Sequence, residues 1–245
     1  MSHRRPGRHA RVRSRAPRRV RWTVAGIAVV VVVTFAIGIV ASGTRTVTGQ
    51  AGPADSAAVP LAPHAGWTTL SDPASGLSYQ IPPTGWSTNP DLGTAGSVSL
   101  HQGANRTAYV CGTPLERLLR GVLGSGAVPR TDPAGLAAAV ASSAAGQYYR
   151  NGGNPPTIKL DPPQPVRRTT RKGVALTGVL VRAVATQHVD DCLASRGEVL
   201  VFVLQFGDHD GVLVVNGDLA GGPAKPAPAT DAELRAIVDT AQPTN

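Results

Sequence analysis

The first 21 residues contain no acidic side chain, although nine arginines lie among them and equal the net charge of +9 of the whole 245-residue chain. The remaining 15 basic residues are matched by 15 acidic ones, so the chain beyond Arg21 is formally neutral. The high sequence pI of about 10.5 therefore reflects the basic N-terminal tail and not the rest of the chain. It gives no support for a nucleic-acid-binding domain, and no nucleic-acid partner is expected.

Motifs of established chemistry are also absent from the sequence. There is no Gly-rich phosphate loop, no His-Glu-x-x-His and no Gly-x-Ser-x-Gly, and the glycines around Ser125 have the wrong spacing for a nucleophile elbow. We therefore predict no catalytic residue, no cofactor and no metal site, and we do not expect an enzyme.

Cysteine is limited to Cys111 and Cys192. An even count in an oxidising compartment favours one disulfide, which would close a loop of roughly 82 residues. Two buried thiols are the alternative, and two cysteines cannot build a zinc site alone.

One long uncharged run occupies residues 22–44. As a helix it would be about 34 Å long, enough to cross a hydrocarbon core of about 30 Å. A cleaved signal peptide is the alternative, with residues 41–43 as a tolerable cleavage site, but its apolar region is usually shorter. Arg19 and Arg21 precede the run and only Arg45 follows it closely, so the positive-inside rule places the N-terminus in the cytoplasm.

These observations predict a single-pass protein of the cell membrane in four parts. A basic cytoplasmic tail at 1–21 precedes the transmembrane helix at 22–44, and an Ala-, Pro- and Gly-rich flexible linker at 45–66 leads to an extracytoplasmic domain at 67–245. The tail is expected to contact anionic lipid headgroups, as juxtamembrane cationic clusters do.

A first helix in the outer domain is predicted at residues 113–124. Thr113, Pro114 and Glu116 form a capping box, and apolar residues follow at helical spacing, with Arg120 on the side that faces away.

Two more helices are predicted further along the chain. One begins at Thr131 or Asp132 and ends near Tyr148, and the last is capped by Thr230 with Glu233 as its box partner.

Strands are predicted at 76–81, 98–101, 107–111, 174–186, 198–206 and 212–215, with the second and third flanking a hairpin loop at 102–106. Residues 199–204 offer no polar face, so they should form a central strand covered on both sides. The links between the last three strands are short, which favours antiparallel neighbours. The predicted class is therefore an α+β fold, an antiparallel sheet meander packed with helices.

The segment at residues 72–86, Asp-Pro-Ala-Ser-Gly-Leu-Ser-Tyr-Gln-Ile-Pro-Pro-Thr-Gly-Trp, resembles the opening of PsbP-like α/β-sandwich domains. With the basic tail, the anchor and the linker, the chain looks like actinobacterial membrane proteins whose C-terminal domain has no assigned function. The resemblance implies a fold, an extracytoplasmic placement and an accessory or binding role, and it carries no catalytic residue across. Physically, Pro82 and Pro83 should end the first strand, Gly85 should permit a turn, and Trp86 should pack under the sheet.

Two polar loops have metal-ligating side chains. His188 to Asp191 and Asp208 to Asp210 could each offer an imidazole and carboxylates, but a strand of about nine residues separates them by roughly 30 Å. The second loop has the residues that a hairpin turn requires, and Asp190 and Asp191 are expected in a solvated loop beside Cys192.

The concentrated charge beyond the tail is a basic run of four residues. The run consists of Arg167, Arg168, Arg171 and Lys172. It is a candidate contact for an anionic wall polymer or a phospholipid, and the alternative is that it forms a solvated strand end.

We therefore expect a non-enzymatic, membrane-anchored extracytoplasmic domain that binds an envelope protein, a cell-wall polymer or a small ligand. The alternative is an envelope-acting hydrolase, which a Ser or Asp in a pocket beside His101, His188 or His209 would favour. A third hypothesis is a docking subunit of an envelope complex, which a large exposed apolar patch would favour.

Overall fold

A computed structural model of the chain describes residues 64–112, 114–188 and 191–244. Of these residues, 56% lie in strands and 14% in helices, in a β-sandwich-like arrangement with two helices. The predicted α+β class, a helix-packed antiparallel meander, is therefore wrong. The predicted transmembrane helix at 22–44 lies outside the described residues, and no helix within them is both long and apolar enough to cross a bilayer.

The described residues form two sheets. The strands are β1 (Thr68–Asp72), β2 (Leu77–Ile81), β3 (Trp86–Ala95), β4 (Val98–Cys111), β5 (Glu116–Pro129), β6 (Thr157–Leu160), β7 (Gln164–Thr169), β8 (Ala175–Thr186), β9 (Ala194–Gln205), β10 (His209–Gly221) and β11 (Gln242–Pro243). The small sheet has the order β1-β2-β11. The large sheet has the order β3-β4-β5-β10-β9-β8-β6, and β7 pairs with β8 next to β6.

Two helices cover the sheets, α1 (Pro133–Tyr148) and α2 (Asp231–Asp239). Both of the corresponding predictions are confirmed. Asp132 caps α1 by accepting a hydrogen bond from the Gly135 amide, and Thr230 caps α2 by accepting one from the Glu233 amide.

The predicted helix at 113–124 is wrong, because residues 116–129 form β5 between β4 and β10. The interior of β5 is rich in glycine, which disfavours a helix and lets strands approach closely. A Cβ at Gly121 would lie 2.4 Å from the Asn216 carbonyl oxygen, and one at Gly126 would lie 2.1 Å from that of Ser99.

The predicted hairpin loop at 102–106 is also wrong, since β4 is one strand of 14 residues. The pairing of β4 with β5 is irregular between His101 and Ala104, where Gln102 has a φ of 46°. A local bulge therefore replaces the predicted turn.

The large sheet is buried on both faces at its centre, as predicted for residues 199–204. Along β9 the valines belong to the core beneath α1, whereas Leu200, Phe202 and Leu204 belong to the core beneath α2 and the small sheet. This alternation follows from the twofold period of a strand.

The predicted packing of Trp86 is confirmed as well. Trp86 is buried in the core that includes the small sheet, and its Nε1 donates to Glu233 Oε1 at 2.8 Å. Strand β2 ends at Ile81, before the two prolines, and Gly85 has a φ of +82°.

Candidate functional site

The disulfide prediction is confirmed. Cys111 at the end of β4 bonds to Cys192 before β9, with 5.5 Å between their Cα atoms. The bond joins residues 81 apart in sequence and ties the tip of the β4–β5 hairpin to the segment that enters β9.

The Asp208 loop is a turn between β9 and β10, as its residues indicated. The His209 Nδ1 atom lies 2.7 Å from Asp208 Oδ1, and the His209 ring stacks on Phe206 with 4.8 Å between centroids. Hydrogen bonding from His209 lowers the pKa of the Asp208 carboxyl. Asp208 is 92% exposed, so this pair lies on an open turn rather than in a pocket.

The other chemical candidates are not brought together. Within the described ranges, no group of three or more His, Cys, Asp or Glu side chains is placed to hold a metal ion. Residue 190 lies outside those ranges. Ser125 is fully buried and donates to Asp72 Oδ2 at 2.8 Å, so its hydroxyl supports the turn after β1.

The basic run divides into different roles. Arg168 donates from Nε to the Ala241 carbonyl at 2.7 Å and lies over the Phe202 ring, and burial lowers the pKa of its guanidinium. Arg168 is therefore structural. Arg167, Arg171 and Lys172 are exposed at the end of β7 and in the turn that follows it.

Arg171 borders a groove of about 410 Å³ between the small sheet and the end of β7. We call it the hydroxyl groove because serines and threonines dominate its lining: Thr69, Ser71, Ser78, Thr169, Thr170, Thr240 and Thr244. Some of these hydroxyls serve the fold, since Thr240 accepts from the Gln80 amide at 2.8 Å. Ser71 and Ser78 lie opposite each other across β1 and β2, and both line the groove.

A second cleft, of about 290 Å³, lies on the α1 side of the large sheet. We call it the tyrosine cleft, because Tyr109, Tyr148 and Tyr149 all line it. Its apolar walls include Leu118 and Leu119.

Polar groups form the floor of the tyrosine cleft. Tyr149 is buried and donates from its hydroxyl to Asn216 Oδ1 at 2.6 Å, and burial raises its pKa well above the ordinary value. Beside it, burial raises the pKa of the Asp218 carboxyl from 3.8 to about 6, although a hydrogen bond from Arg120 opposes this shift. A carboxyl with such a pKa inside a cleft is a feature of binding sites.

One further polar group of the tyrosine cleft lacks a partner among the described residues. The buried Gln187 Oε1 accepts no hydrogen bond, while its Nε2 donates to the Ala194 carbonyl. A buried group of this kind is satisfied by a ligand or by water. Half-buried Tyr148 lines the same cleft.

The sequence interpretation missed this cleft because its residues come from six separate segments of the chain. The sequence predicts Tyr148 only as the end of a helix, and it assigns Leu118 and Leu119 to a helix that does not form. The available signal was compositional, since the chain has only four tyrosines and three of them line one cleft.

Together, these observations describe a predominantly β domain with two surface clefts, the hydroxyl groove and the tyrosine cleft. The chain belongs to a family described as a domain of unknown function, DUF8017, which matches residues 60–245. No curated protein matches the chain.

Among solved structures, the chain is similar to the solution structure of cyanobacterial PsbP (CyanoP) from Synechocystis sp. PCC 6803. The two share 10% sequence identity, and the alignment covers 80% of this chain and 100% of that one with a TM-score of 0.36.

Proposed function

We propose that the protein is a non-enzymatic binding domain, held outside the cell by its N-terminal anchor, and that the hydroxyl groove takes an anionic ligand rich in oxygen atoms. Phosphodiester groups have this chemistry, whether they belong to a wall polymer or to lipid headgroups. The single observation that carries the proposal is the placement of Arg171 at the border of the groove.

The groove offers the complementary chemistry. A guanidinium donates to phosphate or carboxylate oxygens in a fixed geometry, and hydroxyl side chains both donate and accept hydrogen bonds. Arg171 supplies the charge, and Ser71 and Ser78 supply hydroxyls on the wall of the same groove.

The test is binding of the purified full-length chain to poly(glycerol phosphate) and, separately, to vesicles with and without phosphatidylglycerol. The Arg-rich tail also attracts anions, so the diagnostic quantity is the difference between two variants with the same loss of charge. We expect Arg171→Ala to weaken binding about tenfold, because it removes a charge-assisted hydrogen bond. Lys159→Ala, an exposed change on β6, should have little effect.

Equal losses in the two variants would show that the groove does not select the anion. If Arg171→Ala weakens binding only to poly(glycerol phosphate), the ligand is a wall polymer. If it weakens binding only to the phosphatidylglycerol vesicles, the ligand is a lipid headgroup.

The proposed topology is tested on intact cells. After reduction, Cys111 and Cys192 should react with a membrane-impermeant thiol reagent without cell lysis. Labelling that requires lysis would place the domain on the cytoplasmic side and contradict the proposal.

A further inference from the structure

We propose that the tyrosine cleft is a separate binding site for one neutral pyranose ring of a glycan. The cleft is on the α1 side of the large sheet, whereas the hydroxyl groove is formed by the small sheet and β7. The inference therefore does not depend on the function proposed for the groove.

Aromatic residues are scarce in this chain, yet they are concentrated here. Phe, Trp and Tyr make up 4% of the sequence, and three of the four tyrosines line a cleft of about 290 Å³. Tyrosine offers an apolar ring for contact together with a hydroxyl for hydrogen bonding, which is why it is enriched at recognition surfaces.

Polar groups lie between these apolar surfaces. The buried Gln187 Oε1 has no partner among the described residues, Tyr148 lines the cleft beside it, and the side chains of Asn216 and Asp218 form the floor. A purely apolar ligand would leave the buried Gln187 oxygen unsatisfied, which opposes binding.

The charges at the cleft disfavour a cationic ligand. An ammonium ligand would meet the exposed guanidinium groups of Arg117 and Arg150 at the rim, and also Arg120 behind the Tyr109 ring. A neutral ring that has apolar C–H faces and several hydroxyls avoids this conflict.

The volume is consistent with a single ring. A cleft of about 290 Å³ lies at the lower limit of ligand pockets, which hold about 300–1,000 Å³. Because the pKa of Asp218 is raised to about 6, its carboxyl can donate a hydrogen bond to a sugar oxygen at mildly acidic pH. At neutral pH the same group accepts a hydrogen bond from a sugar hydroxyl.

The experiment is an equilibrium titration of the full-length chain with methyl glucoside and methyl N-acetylglucosaminide, supported by saturation-transfer NMR. Cyclohexylmethanol serves as an apolar ring of similar size. We expect a dissociation constant of about 1 mM for at least one sugar, because a ligand this small has few contacts. The apolar ring should bind more weakly.

Variants of Tyr148 assign the site. Tyr148→Phe retains the ring and removes the hydroxyl, so it should weaken sugar binding several-fold while leaving the melting temperature nearly unchanged. Tyr148→Ala should weaken binding about tenfold or more. Leu160→Ala, at an exposed position on β6, is the matched control and should bind as the wild type does.

Three results would overturn the proposal. They are no detectable binding of either sugar, tighter binding of cyclohexylmethanol than of both sugars, and sugar binding that Tyr148→Phe and Tyr148→Ala leave unchanged in folded protein.

Discussion

The Arg120 guanidinium donates from Nη1 to the Asp218 carboxylate at 3.2 Å, and the Arg120 side chain has no exposed surface. The same guanidinium donates to the carbonyls of Gly221, Pro223 and Pro226 and lies over the Tyr109 ring. One buried cation therefore holds the loop after β10 and supports two residues of the tyrosine cleft.

Replacing Arg120 should destabilise the domain strongly. Arg120→Met leaves the Asp218 carboxylate buried without its partner and removes the donor of three carbonyls, so we expect a loss of about 3–5 kcal/mol in unfolding free energy. Chemical denaturation measures it. Arg117→Met, an exposed change on the same strand, should change stability by less than about 0.5 kcal/mol. Equal losses of unfolding free energy in the two variants would show that the buried Arg120–Asp218 pair stabilises the fold no more than an exposed arginine does.

Stability should depend on pH through Asp218. Burial raises the pKa of its carboxyl from 3.8 to about 6, so the folded state binds a proton more readily than the unfolded state does. The contribution of Asp218 to the unfolding free energy therefore falls as the pH rises from about 4 to about 6, and levels off above that range. Denaturation curves across this range, compared with those of Asp218→Asn, isolate the effect. Identical pH slopes in the two proteins would contradict the assignment.

Breaking the disulfide should lower stability. Joining residues 81 apart restricts the unfolded chain, which corresponds to at most about 4.5 kcal/mol, and natural bonds typically contribute about 2–4 kcal/mol. Denaturation of the Cys111→Ala and Cys192→Ala double variant should show a loss in that range. Equal stability with and without the bond would indicate that strain offsets the entropic gain.

Gly197 should be intolerant of a side chain. A Cβ at this position of β9 would lie 2.0 Å from Tyr149 Cζ, so Gly197→Ala must displace the tyrosine ring and with it the floor of the cleft. We expect a loss of about 1–3 kcal/mol, as for other overpacked cores, measured by thermal unfolding. Gly153→Ala is the control, since nothing lies within 4 Å of a Cβ there. Unchanged stability of Gly197→Ala would contradict the packing of Tyr149 described above.

Local signals in the sequence predicted the elements whose partners are also local. Asp132 and Thr230 begin helices because a side-chain oxygen satisfies an amide three residues away, and no distant residue is needed. Even so, the second capping box forms only in part. The Glu233 carboxylate binds Trp86 Nε1 and Arg106 instead of turning back to the helix start.

The largest error arose where helical spacing and sheet pairing compete. Residues 113–124 have both a capping box and apolar residues at helical spacing, yet β5 forms because β4 and β10 pair with its two edges. That change reverses the environment of Arg120, which was predicted to face away and is instead fully buried. Propensity is a weak preference that tertiary pairing overrides.

The sequence by itself determined the two confirmed helices, the central strand buried on both faces and the pairing of the two cysteines. Capping, alternation of apolar residues and an even cysteine count depend on the chain's own composition and short-range order. Only the tertiary structure decided that residues 116–129 form strand β5, that Arg120 is buried against Asp218 and that the tyrosine cleft assembles. Those features require residues about 100 positions apart to meet, and no local pattern of residues encodes such a meeting.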